Sequence, residues 1–235
     1  MKSVSAIIVA AGRGKRFKHR ISKPLAKIRG RPVILYSLMA FGRHPLVKEI
    51  ILVANRENSQ AIAKIAARYG CGKTVRVILG GRRRQDSVYN GLRETSALSK
   101  VILIHDAARP FVSRRLVSAV IRAAKKYVAA VPGVAVRGTI KKVEGRRRKA
   151  EGKCLVEKTL ERENLREIQT PQAFCRELLL QAFAKLNRQE VTDEAMLVER
   201  MGVKVSIIPG DYRNIKITTP EDLIFAEVLA EKYAL

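Results

Sequence analysis

The chain has 235 residues, 47% of them hydrophobic and 29% charged, which is the composition of a globular protein long enough to bury a sizeable core. Its 47 Lys and Arg residues outnumber 21 Asp and Glu residues, and the net charge of +26 favours anionic partners. Trp is absent and aromatic residues make up 5% of the chain, so base-stacking side chains are scarce. No run approaches the roughly 20 apolar residues of a membrane helix. We expect neither a membrane protein nor a specific nucleic-acid binder.

The three cysteines, Cys71, Cys154 and Cys175, are odd in number and widely spaced. This pattern gives no disulfide framework and no zinc-binding CxxC pair, and it is typical of reduced thiols in a cytosolic protein. The N-terminal stretch MKSVSAIIVAAG has only about seven consecutive apolar residues before basic residues follow, which suits a buried strand better than a signal peptide. We expect a cytoplasmic location.

Short apolar, β-branched runs alternate with longer helical patterns along the chain. The strand-like runs are SAIIVA, EIILVA, VRVIL, KVILIHD, AAVPGVAV and VKVSIIP. The helical patterns between them are PVILYSLMAFGRH, ENSQAIAKIAARYG and SRRLVSAVIRAAKKY. This alternation predicts βαβ units and an α/β fold with a mostly parallel sheet, in which ligands bind at the carboxyl ends of the strands. Because no linker or repeat divides the chain, residues 1–235 are predicted to form one domain.

One segment interrupts the alternation. Residues 137–162, RGTIKKVEGRRRKAEGKCLVEKTLER, contain two strand-like runs around a turn rich in glycine and charge. The segment is predicted to be a β-arm that projects from the sheet toward a partner subunit or the edge of an active site. A solvated surface hairpin has the same composition and remains open.

The first strand-like run ends in AAGRGKRF, residues 10–17, where glycines and the cations Arg13, Lys15 and Arg16 follow one another. Backbone N–H groups and cations in such a turn can bind phosphate oxygens. The stretch is neither a Walker A loop nor a dinucleotide fingerprint, because it lacks the Gly-Lys-Ser/Thr ending and the third glycine. A phosphate loop and an ordinary strand–helix turn both remain open. Lys23 adds either a further cation of this loop or a solvated surface lysine.

Two later turns also follow strand-like runs. In GGRRRQDSVYNGL, glycines at 80 and 81 allow a ligand to approach the backbone closely, and Ser87 with Asn90 is a candidate cap for the next helix. A capped helix without a ligand is equally open there. In ILIHDAARPFV, Asp106 stands at a strand end, where an acidic residue can hold ribose hydroxyls or hydrated Mg²⁺. We interpret His105 as a packed, hydrogen-bonded histidine rather than a general base.

Taken together, the sequence motifs resemble the 2-C-methyl-D-erythritol 4-phosphate cytidylyltransferase family nearly end to end. The matching stretches are AAGRGKRF with Lys23, GGRRRQDSVYNGL, HDAARPFV, TIKKV, QTPQAF, TDEAMLVERMG and NIKITTPEDL. The resemblance implies a Rossmann-like sheet of the nucleotide-diphospho-sugar transferase type and a homodimer with interlocking arms. It also implies that CTP and 2-C-methyl-D-erythritol 4-phosphate react to give 4-diphosphocytidyl-2-C-methyl-D-erythritol and pyrophosphate. Mg²⁺ is expected mainly on the CTP phosphates rather than on a set of protein ligands.

The resemblance also carries residue roles. It implies that Arg16 and Lys23 stabilise the transition state and that Arg162 and Lys216 position the sugar phosphate. The cytidine-binding positions of the family fall on Ala10, Ala11, Gly12, Gly81, Ser87, Asp106 and Ala107. The neighbours of its substrate pocket fall on Arg109, Thr139, Thr170 and Thr192.

Three positions depart from the family pattern. Lys23 stands in Ser-Lys-Pro instead of the usual Pro-Lys-Gln, Gly138 replaces an Asp, and Arg82 is basic where the family is often acidic. Ribitol-5-phosphate cytidylyltransferase has similar motifs and differs in its sugar pocket; HDAARP with QTPQAF favours the erythritol enzyme. A nucleic-acid-binding protein would need a basic stripe with base-reading residues, and the sequence has no such pattern.

Overall fold

The computed structural model describes residues 3–12, 17, 22–144, 155–185 and 189–233. The strands in these ranges are β1 (Ser3–Val9), β2 (Lys27–Ile28), β3 (Arg31–Pro32), β4 (Val47–Ala54), β5 (Thr74–Leu79), β6 (Ser99–Asp106), β7 (Ala129–Ala135), β8 (Lys141–Val143), β9 (Val156–Thr159), β10 (Arg166–Ile168), β11 (Gln172–Cys175) and β12 (Ser206–Pro209). The helices are α1 (Val33–Gly42), α2 (Ser59–Tyr69), α3 (Arg84–Arg93), α4 (Arg114–Tyr127), α5 (Arg176–Ala184), α6 (Glu194–Glu199) and α7 (Glu221–Lys232). Short 3₁₀ turns span Lys23–Leu25 and Arg162–Asn164.

The central sheet has eight strands in the order β10-β7-β11-β6-β1-β4-β5, and β12 also pairs with β7. The pairs β1–β4, β1–β6, β4–β5 and β7–β12 are parallel, whereas β10 and β11 run antiparallel to their neighbours. The predicted mostly parallel α/β architecture is therefore confirmed. Each of the six strand-like runs in the sequence forms a strand of this sheet.

The central strands are continuously apolar because both faces of the sheet are covered. In β1, Ala6 and Ile8 belong to the core on one face, whereas Ile7 belongs to the core on the other. The first core contains residues of α1, α2 and α4, and the second contains residues of α3, α5 and α6. The molecule is thus a three-layer sandwich with the sheet in the middle.

Helix α4 illustrates how the sequence places an apolar face on this sheet. The Ser113 hydroxyl accepts the Leu116 N–H at 3.1 Å and caps the helix start. Leu116, Val120 and Ala124 then recur at a spacing of four residues on one side, and all three are buried. Among the described residues, no helix is long and apolar enough to cross a membrane.

The segment of the predicted arm contains a separate two-stranded antiparallel sheet made of β8 and β9, and its role as an arm toward a partner stays a prediction. Its strand residues are all exposed, so the arm stands away from the cores. Arg146, Arg147, Arg148 and Cys154, which belong to the predicted arm, lie outside the described residues.

The start of α3 differs from the sequence-based expectation. Ser87 and Asn90 were predicted to cap this helix, but both lie inside it, because the helix already begins at Arg84. The Asp86 carboxylate accepts the Arg83 backbone N–H at 3.1 Å and supplies the cap instead. The cap prediction is therefore wrong, and the Ser87 hydroxyl is available for another contact.

Gly91 lets α3 pack closely on the sheet that carries the strand ends. A Cβ at this position would lie 2.6 Å from a methyl carbon of the buried Ile7 and 3.1 Å from one of Val53. We predict that Gly91→Ala lowers the free energy of unfolding by about 1–3 kcal/mol through overpacking, although Ala favours helices more than Gly does. Denaturant unfolding measures the change, and Gly138→Ala, which enters open space, is the control with unchanged stability. Equal stability of Gly91→Ala and the wild type would contradict the tight packing.

Candidate active site

The carboxyl ends of β1, β4, β5 and β6 lie side by side at one edge of the sheet. The first residues of the loops after β1 and β6 are each bound to a neighbouring strand: the Ala10 N–H donates to the Val53 carbonyl at 2.7 Å, and the Ala107 N–H donates to the Val9 carbonyl at 3.0 Å. These contacts hold the loops after β1 and β6 beside each other. This edge is where open α/β sheets bind their ligands.

Two asparagines that follow β4 fix the backbone of the first loop. The Asn58 side-chain amide donates to the Ala10 carbonyl at 3.1 Å, and the Asn55 amide donates to the Ala11 carbonyl at 3.4 Å. Each asparagine also accepts the backbone N–H of the other at 2.9 Å. The loop is therefore held in one shape as far as Ala11, before the exposed Gly12.

Lys23 lies where the chain returns from the first loop. It begins the 3₁₀ turn Lys23–Leu25, and its ammonium group lies 5.6 Å from the centroid of the Phe17 ring. Pro24, the departure from the family pattern, is buried in this turn and fits there because an early position in a helical turn needs no N–H donor. Arg16, predicted to act beside Lys23, lies outside the described residues.

The second glycine turn presses against the first loop. A Cβ on Gly80 would lie 2.5 Å from the Cβ of Ala11, and a Cβ on Gly81 would lie 2.4 Å from that of Asp86. Both separations are too short for real side chains, so the two glycines are required by contact. The Ser87 hydroxyl accepts the Gly81 N–H at 3.1 Å and holds the turn in place. The predicted nucleotide residues of the two loops are thus brought together.

Asp106, the last residue of β6, is the centre of an ionic network. Its Oδ2 accepts a hydrogen bond from Lys216 Nζ at 2.6 Å, and its Oδ1 accepts from Arg84 Nε and Nη2 at 3.1 and 3.0 Å. Arg84 Nη1 also lies 2.8 Å from both carboxylate oxygens of Glu194. Four charged side chains from β6, α3, α6 and the segment before α7 therefore meet at the strand end.

Burial and charge act against each other in this network. Burial alone would raise the pKa of the Asp106 carboxyl, but the charges of Arg84 and Lys216 hold that pKa well below its usual range. Burial likewise acts to lower the pKa of Arg84, and the carboxylates of Glu194 and Asp106 reverse the effect and raise that pKa. Burial raises the pKa of Glu194, although the positive charge of Arg84 acts to lower it. Asp106 therefore stays ionised at neutral pH, fixed between two cations.

The fully buried His105 lies next to Asp106 and is hydrogen-bonded at both ring nitrogens. Its Nε2 lies 3.0 Å from the Arg109 carbonyl, which can only accept, so Nε2 carries the proton. Its Nδ1 then accepts from the Thr170 hydroxyl at 3.0 Å, and that oxygen accepts the Asp106 backbone N–H at 3.1 Å. Burial lowers the pKa of His105 to about 4, so the ring is neutral. The interpretation of His105 as a packed histidine is confirmed.

Arg109 and Thr170, two predicted neighbours of the substrate pocket, are buried next to this network. The buried Arg109 donates to the Asn214 carbonyl at 2.7 Å and to the Ile168 carbonyl at 3.4 Å. The Asn214 side chain donates to the Thr170 carbonyl at 2.8 Å. These contacts tie the loop after β6 to the segments that carry Thr170 and Lys216, and a direct contact of Arg109 with substrate stays a prediction.

Thr139 and Arg162 lie together at the base of the arm. They line an open groove of about 330 Å³ with Thr159, Leu160, Glu161 and Glu163. Arg162 donates to the Arg137 carbonyl at 3.2 Å, and its side chain is exposed. Within the ranges that the structure describes, no hydrogen bond or ion pair links this groove to Asp106 or Lys216. The predicted sugar-phosphate residues are therefore distributed over two places on the chain.

Thr192 is exposed just before α6, two residues from Glu194. Asp193 caps this helix by accepting the Met196 N–H at 3.0 Å, which brings Glu194 to Arg84. Sequence reasoning missed Arg84 and Glu194, although both stand inside motifs that it singled out. The sequence gives no local signal for Glu194, because an acidic residue in the first turn of a helix is common at exposed helix starts.

The geometry has the parts that phosphate chemistry requires. Two closely packed glycine-rich loops, the second followed by a helix, adjoin the ammonium group of Lys216, whose side chain is 41% exposed, and a fixed carboxylate. Such cations stabilise negative charge on a reacting phosphate, and no nucleophilic side chain is needed when the substrate itself attacks. The fold and the site together define an α/β enzyme of the nucleotidyltransferase class.

The sequence profile of the 2-C-methyl-D-erythritol 4-phosphate cytidylyltransferase family matches residues 4–232. Curated relatives with this name include those from Clostridium botulinum (strain Langeland), 42% identical over 99% of both chains, and Geobacillus kaustophilus, 43% identical over 97% of this chain and 98% of that one. The crystal structure of 4-diphosphocytidyl-2C-methyl-D-erythritol synthase from Anaerococcus prevotii matches with a TM-score of 0.83 and 32% identity, covering 98% of this chain and 96% of that one. The cytidylyltransferase structure from Thermus thermophilus matches with a TM-score of 0.77 and 33% identity, covering 97% and 99%.

The chain belongs to the 2-C-methyl-D-erythritol 4-phosphate cytidylyltransferase family.

The neutral state of His105 makes stability depend on pH. In the unfolded chain the imidazole has a pKa of about 6.5, whereas in the folded protein its pKa is about 4, so below pH 6.5 the unfolded state binds more protons. We predict that the contribution of His105 is complete above pH 6.5 and that roughly 3 kcal/mol is lost as the pH falls toward 4. Denaturant unfolding of the wild type at several pH values measures this loss.

The His105→Gln variant isolates the histidine from other titrating groups. Its amide can still donate toward the Arg109 carbonyl, but it does not titrate, so its stability should fall less steeply between pH 6.5 and 4. Parallel pH profiles of the variant and the wild type would show that His105 is protonated in the folded protein, contrary to the hydrogen-bond assignment.

Proposed function

We propose that the protein carries out its family's cytidylyl transfer at the edge of the sheet where Asp106 and Lys216 meet the two glycine-rich loops. In this reaction, a phosphate oxygen of 2-C-methyl-D-erythritol 4-phosphate attacks the α-phosphorus of CTP. The new P–O bond joins the two substrates. The bond between the α-phosphorus and the oxygen that bridges to the β-phosphorus breaks, and pyrophosphate leaves with that oxygen. The Lys216–Asp106 pair carries the proposal, because it holds a cation beside the loops that would bind the nucleotide.

The first task of the site is to bring two anions together. In the proposal, the backbone of Ala10, Ala11 and Gly81 surrounds the nucleotide, and these small residues select a one-ring base over a two-ring base. Arg16 and Lys23 stabilise the charge that develops on the phosphates as the α-phosphorus becomes crowded. A phosphate monoester dianion is already a competent nucleophile, so catalysis consists of positioning and electrostatic stabilisation.

The second task is to hold the sugar phosphate. Lys216 is oriented by Asp106 and exposed enough to contact a ligand, and Arg162 is the second cation assigned to this phosphate. Arg162 lies at the base of the arm and not in the Asp106 network. In the proposal, a homodimer brings Arg162 of one subunit close to Lys216 of the other. The arm strands support this pairing, because Val143, Leu155 and Val156 are apolar and exposed, the latter two by 66% and 54%.

Mg²⁺ is the proposed cofactor, and the residues present fit an ion that arrives with the nucleotide. Within the described ranges, no cluster of three or more His, Cys, Asp or Glu side chains is placed to hold a metal. Both oxygens of Asp106 already accept hydrogen bonds from Arg84 and Lys216, so this carboxylate would hold a hydrated Mg²⁺ through its water ligands while the substrate phosphates bind the ion. When bound, Mg²⁺ neutralises part of the phosphate charge.

A cytoplasmic location is also proposed, in keeping with the free thiols of Cys71 and Cys175.

The decisive experiment is pyrophosphate release with Mg²⁺ and CTP, comparing 2-C-methyl-D-erythritol 4-phosphate with D-ribitol 5-phosphate. We predict release with the erythritol phosphate and only background release with the ribitol phosphate. The reverse preference would keep the chemistry and replace the substrate. Silence with both substrates, from protein shown to be folded, would contradict the proposed function.

The same assay tests the cations of the first loop. We predict that Arg16→Ala and Lys23→Ala each lower turnover about a hundredfold or more, equivalent to roughly 3 kcal/mol of lost transition-state stabilisation. Thermal unfolding should change little, because neither substitution removes a buried apolar group. Lys27→Ala is the matched control, since Lys27 is an exposed lysine of the neighbouring strand β2. If both loop variants turn over like the wild type, these two residues do not stabilise the transition state.

A further inference from the structure

Arg84 is the first residue of α3, and its guanidinium group bridges two carboxylates that are remote in the chain. Glu194 is completely buried, and both of its oxygens lie 2.8 Å from Arg84 Nη1. Arg84 Nε and Nη2 point instead to a single atom, Oδ1 of Asp106, at 3.1 and 3.0 Å. One edge of the planar group is thus anchored in the protein and the other holds Asp106.

The two carboxylate oxygens of Asp106 bind different cations. Arg84 binds Oδ1, which leaves Oδ2 to Lys216 at 2.6 Å. Two charge-assisted hydrogen bonds from one rigid guanidinium fix the position of Oδ1, and with Oδ2 bound to Lys216 the two cations together set the rotation of the carboxylate. The orientation of Asp106, and through it the location of the Lys216 ammonium group, therefore depends on Arg84.

The chain position of Arg84 adds a second connection. Arg84 stands three residues after Gly81, and Ser87 of the same helix accepts the Gly81 N–H. A shift of the helix start would consequently move the nucleotide loop and the Asp106–Lys216 pair together.

We infer that Arg84, anchored by Glu194, is a positioning residue for cytidylyl transfer, which orients the Asp106 carboxylate and thereby places Lys216 for the sugar phosphate. This inference rests on the proposed function for the roles of Asp106 and Lys216. A purely structural ion pair between α3 and α6 is the competing explanation, and the two explanations differ in how Arg84 and Asp106 depend on each other.

The test removes the ion pair without leaving a buried charge unpaired. Loss of Arg84 alone would strand Glu194 in the interior and endanger folding, so the main variant is Arg84→Gln combined with Glu194→Gln. The single variant Arg84→Lys keeps the charge beside Glu194 but loses the planar fork, and it serves if the double variant does not fold. Arg93→Gln, an exposed arginine at the other end of α3, controls for the change in helix charge.

For the double variant we expect kcat/KM for the sugar phosphate to fall roughly tenfold to a hundredfold, the scale of lost charge-assisted hydrogen bonds. Arg84→Lys should lie between the double variant and the wild type, and Arg93→Gln should match the wild type. In a background that already carries Asp106→Asn, the same substitutions should cause little further loss, because their effect passes through that carboxylate.

Binding of CTP, measured by calorimetry in the absence of the sugar phosphate, separates this inference from the proposed function. Pyrophosphate release by the wild type tests the function, whereas non-additive losses of CTP affinity in the Arg84 and Asp106 variants test the coupling even without turnover. The inference is overturned if folded Arg84 variants keep the wild-type kcat, KM and CTP affinity. It is equally overturned if their losses multiply with those of Asp106→Asn, as two independent effects would.

Discussion

A carboxylate at the end of a buried parallel strand loses most of its hydration, and neighbouring groups must compensate for that loss. In this protein the compensation for Asp106 comes from Arg84 on one oxygen and Lys216 on the other. Because these cations belong to two separate segments, the same requirement holds both α3 and the segment before α7 against the end of β6. The same contacts leave Lys216 partly exposed beside the loops, where a cation can serve a phosphate substrate.

Asp106, at the end of β6, takes part in an ionic network through its side chain and in neutral hydrogen bonds through its backbone. Asp106 presents its charged carboxylate to Arg84 and Lys216, whereas its backbone N–H enters a chain of neutral hydrogen bonds through Thr170 and His105. A protonated His105 would add a cation in a fully buried place, and burial prevents this by lowering its pKa. The neutral chain thus fixes the backbone, and the ionic network fixes the side chain. Together they hold Asp106 in one geometry.

The loops depend on contact rather than on unusual backbone angles. Gly80 and Gly81 both have ordinary backbone conformations, and the reason for glycine is that Ala11 and Asp86 occupy the space of a Cβ. Close packing of this kind holds two loops from different strands at a fixed separation, which a nucleotide site needs. The asparagines after β4 act in the same way on the first loop, because their amides bind the backbone carbonyls of Ala10 and Ala11.

The sequence by itself determined six strands of the central sheet, the helices α1, α2 and α4, and the edge at which a ligand is expected. Apolar runs such as SAIIVA and KVILIHD are buried on both faces, so their composition alone indicates parallel strands, and the glycine turns after them mark the ligand-binding edge. The tertiary structure alone decided which charges meet there. Arg84 lies 22 residues from Asp106 and 110 residues from Glu194, and Lys216 lies 110 residues from Asp106. Such contacts follow from strand order and helix packing, which local patterns do not encode, and so the Arg84–Glu194 pair escaped prediction.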